Sequence, residues 1–472
     1  MFFDNKYHVR NELSKINIAW FEIKGLFNIN NVRLDLEKQV NIYIGENGFG
    51  KTTVLNCIYY VLSKKYDKLE KIEFESISIK FKNDERIYSI SRNDVIQYNL
   101  KKNSRRKFIN DPIYNDFLIE FFESIKNDIN YIDNIFIEEK IRLGIRKLSS
   151  LYGIPFPIAR DMVYNYLNHG KLPFELNNSG NLKNVEKLNK VLEEYVNQKV
   201  LYFTTYRRIE DDFSNIIRNA DDYSEADLLI KFGMRDVEKN IENILNTIKN
   251  ESRENFNKMT GVLLKQYSSN NDRMNDCTHI EEEIVKIVLD RLSTQIDVNE
   301  KNNILEIVQS GKIYDYKYNY LYNLLNKLID NYKSQLIYDE KINKFVETCN
   351  KYLHRKKFVY DQSELKLYIK MDKSSEKDGD YLPLSKLSSG EKQIVSMFSI
   401  LYLEKNEDNI ILIDEPELSI SMHWQKMLLP DIIRSGNCKL LLTVTHSPFI
   451  FDNEFEFDAK EIRYSIEDSD WD

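Results

Sequence analysis

The stretch Ile42-Tyr43-Ile44-Gly45-Glu46-Asn47-Gly48-Phe49-Gly50-Lys51-Thr52-Thr53 decides the fold. An alternating apolar strand runs into a loop with three glycines, and the loop opens onto a helix beginning near Lys51. This fits the pattern G-x-x-x-x-G-K-[ST] without a mismatch. A triphosphate has to be wrapped by backbone N–H groups, and residues without a Cβ let the chain curl that closely. The helix N-terminus then turns its unpaired amides and positive dipole end towards the anion. Lys51 supplies a mobile charge for the terminal phosphates and the Thr52 hydroxyl a ligand for Mg²⁺. The plain alternative is a Gly-rich strand-to-helix turn that binds nothing.

Around this stretch, 472 residues are too many for one ordinary core, so two or more lobes are expected. With 42% hydrophobic and 30% charged residues the chain reads as globular rather than disordered. It has no apolar run of membrane-spanning length and no secretory layout at its start, so a cytoplasmic protein without membrane partners is expected. Cys57, Cys277, Cys349 and Cys438 are scattered, and no histidine stands at metal-ligand spacing. Magnesium arriving with a nucleotide is the only metal implied. The net charge of −8 argues against a surface built throughout for nucleic acid. The densest basic run, Lys101–Lys107, reads as a solvated loop, with a local binding patch as the alternative.

Residues 1–92 read as the first half of an α/β nucleotide-binding lobe. They offer alternating strands at Lys15–Ile23 and Val32–Leu36, then a helix to about Val61 and a hairpin built from Ile72–Phe81 and Arg86–Ser91. Residues 93–350 change to Lys, Asn, Glu and Tyr with helical apolar spacing, a mainly helical insertion whose apolar repeats are too short for a sustained coiled coil. Inside it, 199–210 reads as a buried strand returning to the nucleotide lobe, with Arg207 and Arg208 at its charged end. These arginines suit nucleotide, DNA or subunit contacts, or a surface ion pair with Glu210. Residues 351–472 complete the lobe.

Three stretches of this last segment carry chemistry. Ile410–Glu415 is an apolar run ending in two carboxylates, as a buried parallel strand does when its C-terminal edge enters a site. Asp414 is placed to hold Mg²⁺ and Glu415 to activate water, unless the pair merely caps a following helix. Ser388-Ser389-Gly390-Glu391 opens a helix to about Leu403; it suits a phosphate, and equally a capping box. Lys439–Thr445 delivers His446 to a strand end, where it is a candidate for the terminal phosphate.

In their order, these motifs resemble the soluble branch of the ABC-type ATPases, which includes the Rad50, RecF and OLD-like proteins. The resemblance implies a P-loop ABC-type ATPase lobe assembled from N- and C-terminal segments. It makes Gly45–Thr53 the Walker A motif, Ser388–Glu391 the signature, Asp414–Glu415 Walker B, His446 the switch histidine and Leu418-Ser419-Ile420 the D-loop. ATP and Mg²⁺ are its implied ligands, and lobes meeting head to tail its implied homo-oligomer. Ser389 departs from the usual double glycine of the signature, and Gln97 is the candidate for the glutamine loop. The stretches TYRRIE (Thr205–Glu210), LSSGEKQIVSMFS, LIDEPELSIS and VTHSPFIFDNE are similar to the ATPase family of the Septu anti-phage system, PtuA, and its retron-associated relatives. That similarity implies an ATPase that scaffolds and restrains a separate HNH nuclease, PtuB-like, with nucleic acid reached through the complex. The alternative is a stand-alone SMC- or RecF-like DNA-repair or DNA-binding ATPase. An OLD-type nuclease would need a Toprim domain, for which the stretch after His446 is short. A transporter subunit is disfavoured by the size of the insertion.

Overall fold

The computed structural model describes residues 16–28, 30–45, 50–107, 141–143, 145–146, 160, 182–204, 233–268, 279–292, 296–372, 381–404, 408–462 and 464–465. In chain order the elements are β1 (Ile18–Leu26), β2 (Asn30–Asp35), β3 (Val40–Ile44), α1 (Lys51–Leu62), α2 (Tyr66–Leu69), β4 (Ser76–Phe81), β5 (Ile87–Ser91), α3 (Arg92–Lys107), α4 (Leu182–Tyr195) and β6 (Lys199–Phe203). Next come α5 (Met234–Ser268), α6 (Glu282–Arg291), α7 (Val298–Gln309), α8 (Asn319–Asn350), β7 (Lys356–Asp361), β8 (Lys366–Met371) and β9 (Tyr381–Leu382). The last are α9 (Ser389–Leu403), β10 (Asn409–Asp414), α10 (Met422–Arg434), β11 (Cys438–Thr445), β12 (Ala459–Glu461) and β13 (Tyr464–Ser465). The described chain falls into two compact units, one holding residues 38–52 and 198–462, the other residues 17–37 and 53–197 with β13.

The first unit is built on a parallel sheet ordered β12-β3-β11-β10-β6. Every residue of β10 is buried, as a strand covered on both faces requires. The apolar run after Asn197 forms β6 and lies beside β10, with Phe203 opposite Ile413. Arg207 and Arg208 lie outside the described residues. Helix α9 is buried on nearly all sides, so it fills the centre of the core rather than a surface. Its Tyr402 hydroxyl meets Thr348 Oγ1 of α8 at 3.2 Å. A small antiparallel sheet, β7-β8-β9, packs through Phe358 against Phe345.

Helices α5 and α8 run to 35 and 32 residues, longer than the apolar repeats suggest. Val237, Ile241, Ile244 and Ile248 of α5 join Ile342 and Phe345 of α8 in the main core. Further along, polar pairs enter the seam: Tyr338 donates to Glu251 at 2.7 Å and Asn255 to Asn331 at 2.9 Å. The two helices are therefore antiparallel, with these polar pairs interspersed among apolar contacts such as Met259 with Leu328 and Tyr332. Beyond this seam, α6, α7 and α8 share a second apolar cluster around Val285, Leu289, Tyr322 and Ile329.

A buried polar knot fastens α6, α8 and the β7–β8 hairpin. Arg291 makes a fork to both carboxylate oxygens of Asp339, at 3.1 and 2.8 Å, and also donates to Gln335 Oε1 and the Gln362 carbonyl. Tyr360 gives its hydroxyl proton to the same carboxylate. Burial, the bond to Asp339 and the charge of Asp339 together push the Tyr360 phenol far above its ordinary pKa, so it stays a donor.

The second unit is an antiparallel sheet ordered β13-β2-β1-β4-β5. The two hairpins of the N-terminal segment thus pair with each other and with β13. The basic run Lys101–Lys107 is helical rather than a loop, being the end of α3. Ser91 and Asp94 cap that helix reciprocally, at 2.9 and 3.1 Å, and Lys and Arg propagate it well. Gln97 stands half-buried on the same helix.

Replacing Asp339 with Ala leaves the Arg291 charge buried without its partner. An unfolding free energy lower by about 3–5 kcal/mol is expected in urea titration; a loss below about 1 kcal/mol would mean that the knot is dispensable.

Candidate functional site

Strand register assembles the site. In the parallel sheet Thr445 lies opposite Ile44, and Val444 opposite Asp414, so β3, β11 and β10 end level with one another. Each strand end carries a different group to this edge: β3 leads through the loop to Lys51, β11 presents His446, and β10 presents the pair Asp414–Glu415. Because β11 lies between the other two, His446 stands between the lysine and the carboxylates. The C-terminal edge of a parallel sheet is where α/β folds place their ligands.

Lys51 opens α1 and is only 5% exposed. Its ammonium donates to the Gly45 carbonyl at 2.8 Å, contacts His446 Nε2 and lies 4.0 Å from Glu415 Oε1. Burial lowers the Lys51 pKa from its ordinary value, while the charges of Glu415, Asp414 and Glu417 act in the opposite direction. A Cβ on Gly45 would come within 3.0 Å of Lys51 Cδ, so a side chain there would press on the lysine. Gly50 has φ +80°, a conformation suited to glycine, just before the helix starts. Glu46, Asn47, Gly48 and Phe49 lie outside the described residues. Thr53 follows Thr52 in the first turn of α1.

Thr52 Oγ1 donates to Asp414 Oδ2 at 2.7 Å. A hydroxyl and a carboxylate at this spacing are hard oxygen donors, the kind that hold a largely hydrated Mg²⁺ together with phosphate oxygens. Among the described residues no group of three or more His, Cys, Asp or Glu side chains is arranged to hold a metal.

Glu415 Oε1 lies 3.2 Å from His446 Nε2. That nitrogen faces a donor, Lys51, and an acceptor, Glu415: one imidazole tautomer accepts from the first and the other donates to the second. Glu415 itself has φ +48°, a left-handed backbone that costs a non-glycine residue about 1–3 kcal/mol. The acidic pair does not cap a helix, since α10 begins only at Met422 and takes its cap from Ser421.

The signature residues are engaged in another way. Ser388 caps α9, accepting from the Glu391 amide at 3.4 Å, while the Glu391 carboxylate accepts from the Ser388 amide at 2.7 Å. That carboxylate also pairs with Lys356 at 2.9 Å. Burial pushes the Glu391 pKa up, but Lys356 and Ser388 outweigh it and hold the carboxyl below its usual range. Ser388 and Ser389 remain exposed. Gly390 is buried, and a Cβ there would lie 2.2 Å from the Ser419 carbonyl. Ser419 in turn has φ +73°.

Two residues of the site were not singled out from the sequence. Glu417 accepts hydrogen bonds from Thr445 Oγ1, the His446 amide and the Ser447 amide. Gln425 joins the Glu417–Ile420 segment to Ser447. Their only trace in the sequence is a second acidic residue just after Pro416 and a glutamine in the next helix.

A family model described as an AAA ATPase domain matches residues 17–451. No curated protein matches the chain. Among solved structures, an Smc head bound to the C-winged helix domain of ScpA is 10% identical, covering 96% of this chain and 99% of that one with a TM-score of 0.33. A Pyrococcus furiosus Smc head with an extended coiled coil, bound to the C-terminal domain of ScpA, is 11% identical, covering 95% and 96% with a TM-score of 0.34. A Pyrococcus yayanosii Smc head with a coiled coil and joint is 13% identical, covering 92% and 93% with a TM-score of 0.30.

Lys51→Ala removes the buried ammonium next to the loop. Titration calorimetry with Mg–ATP is expected to show binding weaker by about 2–5 kcal/mol; affinity equal to that of the unaltered protein would refute the cradle.

Proposed function

The chain belongs to the AAA ATPase domain family, and on that footing we propose that it binds Mg–ATP on Lys51 and Thr52 and hydrolyses it with Glu415 as the base. The observation that carries this reading is the convergence of Lys51, Thr52, Asp414, Glu415 and His446 at the ends of three neighbouring parallel strands.

In this reading the loop from Gly45 through Glu46, Asn47, Gly48, Phe49 and Gly50 wraps the phosphates with backbone amides. Lys51 transfers its ammonium from the Gly45 carbonyl to phosphate oxygens, exchanging a neutral acceptor for charged ones. Thr52 and Asp414 would hold magnesium, which when bound would neutralise charge on the phosphates. Glu415 orients the attacking water and takes its proton, a role worth about 10²–10⁴ in rate. With its N–H on Nε2, His446 steadies Glu415; with that nitrogen accepting from Lys51 instead, the other ring nitrogen carries the N–H and offers it to the transferred phosphoryl group.

Ser388, though its hydroxyl caps α9, and Ser389 are both exposed at the helix start, a position suited to contact with the ATP of a second copy in a head-to-tail homo-oligomer. At the level of the organism, the motif similarity supports an ATPase subunit of a Septu-like bacterial anti-phage complex in the cytoplasm. Its partner would be a separate HNH nuclease that it holds in check. No described helix is long and apolar enough to cross a membrane. A second reading, a stand-alone DNA-repair or DNA-binding ATPase, draws support from the long antiparallel pair α5–α8. Gene neighbours distinguish the two: a small HNH reading frame beside this one supports the first, and recombination genes the second. Salt-sensitive DNA binding by the purified chain also favours the second.

Glu415→Gln is expected to keep ATP binding, to slow phosphate release by about 10²–10⁴, and to accumulate as an ATP-dependent dimer in light-scattering mass measurement. Unaltered turnover would place the base elsewhere, and a monomer at saturating ATP would remove the head-to-tail assembly.

A further inference from the structure

Where β11 ends at Thr445, the amides of His446 and Ser447 lose the strand ladder and need other acceptors. Both donate to one oxygen, Glu417 Oε1, at 2.8 and 3.2 Å, and the Ser447 amide is shared with Thr445 Oγ1 at 3.0 Å. The other oxygen, Oε2, accepts from Thr445 Oγ1 at 2.8 Å. A carboxylate carried just beyond the neighbouring strand thus makes three charge-assisted bonds across a three-residue turn, each stronger than a neutral equivalent. The turn has a second tether. Ser447 Oγ donates to Gln425 Oε1 at 2.6 Å, and Gln425 Nε2 donates to the Ile420 carbonyl at 3.1 Å and the Glu417 carbonyl at 3.4 Å. The Glu417–Ile420 segment and the Thr445–Ser447 turn are therefore fastened both by the Glu417 side chain and through Gln425.

We infer that Glu417 is a positioning residue for turnover: by gripping the His446 and Ser447 amides it sets the imidazole between Lys51 and Glu415, and Gln425 ties that setting to the segment against which Gly390 packs. The inference rests on the ATPase reading above and deepens it. In this role Glu417 neither contacts phosphate nor takes a proton: it acts through His446, beside the long-range pull of its charge on Lys51. The close approach at Gly390 extends the chain of contacts, because the start of α9 rests on the Ser419 carbonyl and cannot shift without moving the segment that Gln425 and Glu417 hold.

The test is a double-mutant cycle on the full-length protein, with steady-state phosphate release and Mg–ATP calorimetry as readouts. Glu417→Ala and His446→Ala are each expected to lower kcat at least tenfold while ATP affinity stays within threefold. The double variant should fall no more than twofold below the worse single one, because the two residues act as one unit. A purely structural Glu417 would instead lower melting temperature and affinity together, and its loss would multiply with that of His446. Glu417→Gln, which keeps one oxygen for the two amides, should recover part of the rate, and it replaces Ala in the cycle if the alanine variant does not fold. Multiplicative losses, or unchanged kcat in Glu417→Ala, overturn the inference while leaving the ATPase reading intact. A wild-type protein that neither binds nor turns over ATP overturns both.

Discussion

One ammonium, almost wholly withdrawn from water, is the constraint around which the site is arranged. Burying Lys51 disfavours its charge, and the carboxylates of Glu415, Asp414 and Glu417 provide the opposing attraction. All three carboxylates come from the end of β10, while the lysine follows β3, with β11 intervening. The balance therefore holds only if the strands keep a register that ends them at the same level. The fully buried, β-branched and leucine-rich β10 and the neighbouring β11 supply it, since a slip would drag polar ends into the sheet interior.

The same crowding accounts for the unusual backbone after β10. The chain passes through φ +48° at Glu415 and φ +73° at Ser419 without a glycine at either position. Such conformations persist where the surroundings over-determine them. Here the Glu415 amide donates to the Val444 carbonyl at 2.9 Å, and Gln425 holds the Glu417 and Ile420 carbonyls. The strain turns Glu415 towards His446 and brings the Ser419 carbonyl against Gly390. Glu415 and the start of α9 are thereby joined through a few residues of one short segment.

Much of this could be read from the residues, for a physical reason. A strand covered on both faces must be apolar along its length, so the first carboxylate or histidine after it marks the sheet edge. Asp414, Glu415 and His446 were visible on that ground, and Lys51 by its glycine-rich spacing. Ser388 to Glu391 suited two readings, and the capping box is built, with Glu391 paired inward to Lys356. Glu417 escaped notice because nothing in one-dimensional spacing tells which strand end will supply acceptors for a neighbour's amides. Helix α3 was missed because a run of basic residues suggested a solvated loop, although Ser91 and Asp94 already had the spacing of a cap. The lengths of α5 and α8 were hidden where polar pairs such as Asn255 with Asn331 and Tyr338 with Glu251 interrupt the apolar spacing of the seam.

Those two helices have a mechanical consequence. Both are rooted beside α9, whose first turn carries the signature and whose Tyr402 touches Thr348 near the foot of α8. A 35-residue helix extends about 50 Å. Treated as a stiff lever, the part of α5 beyond the core-packed Ile248, about 30 Å long, tilted by about 5° at its foot swings its far end by about 3 Å. A small rotation at the foot of α5, where it packs beside α9, would thus become a displacement of several ångströms at its far end.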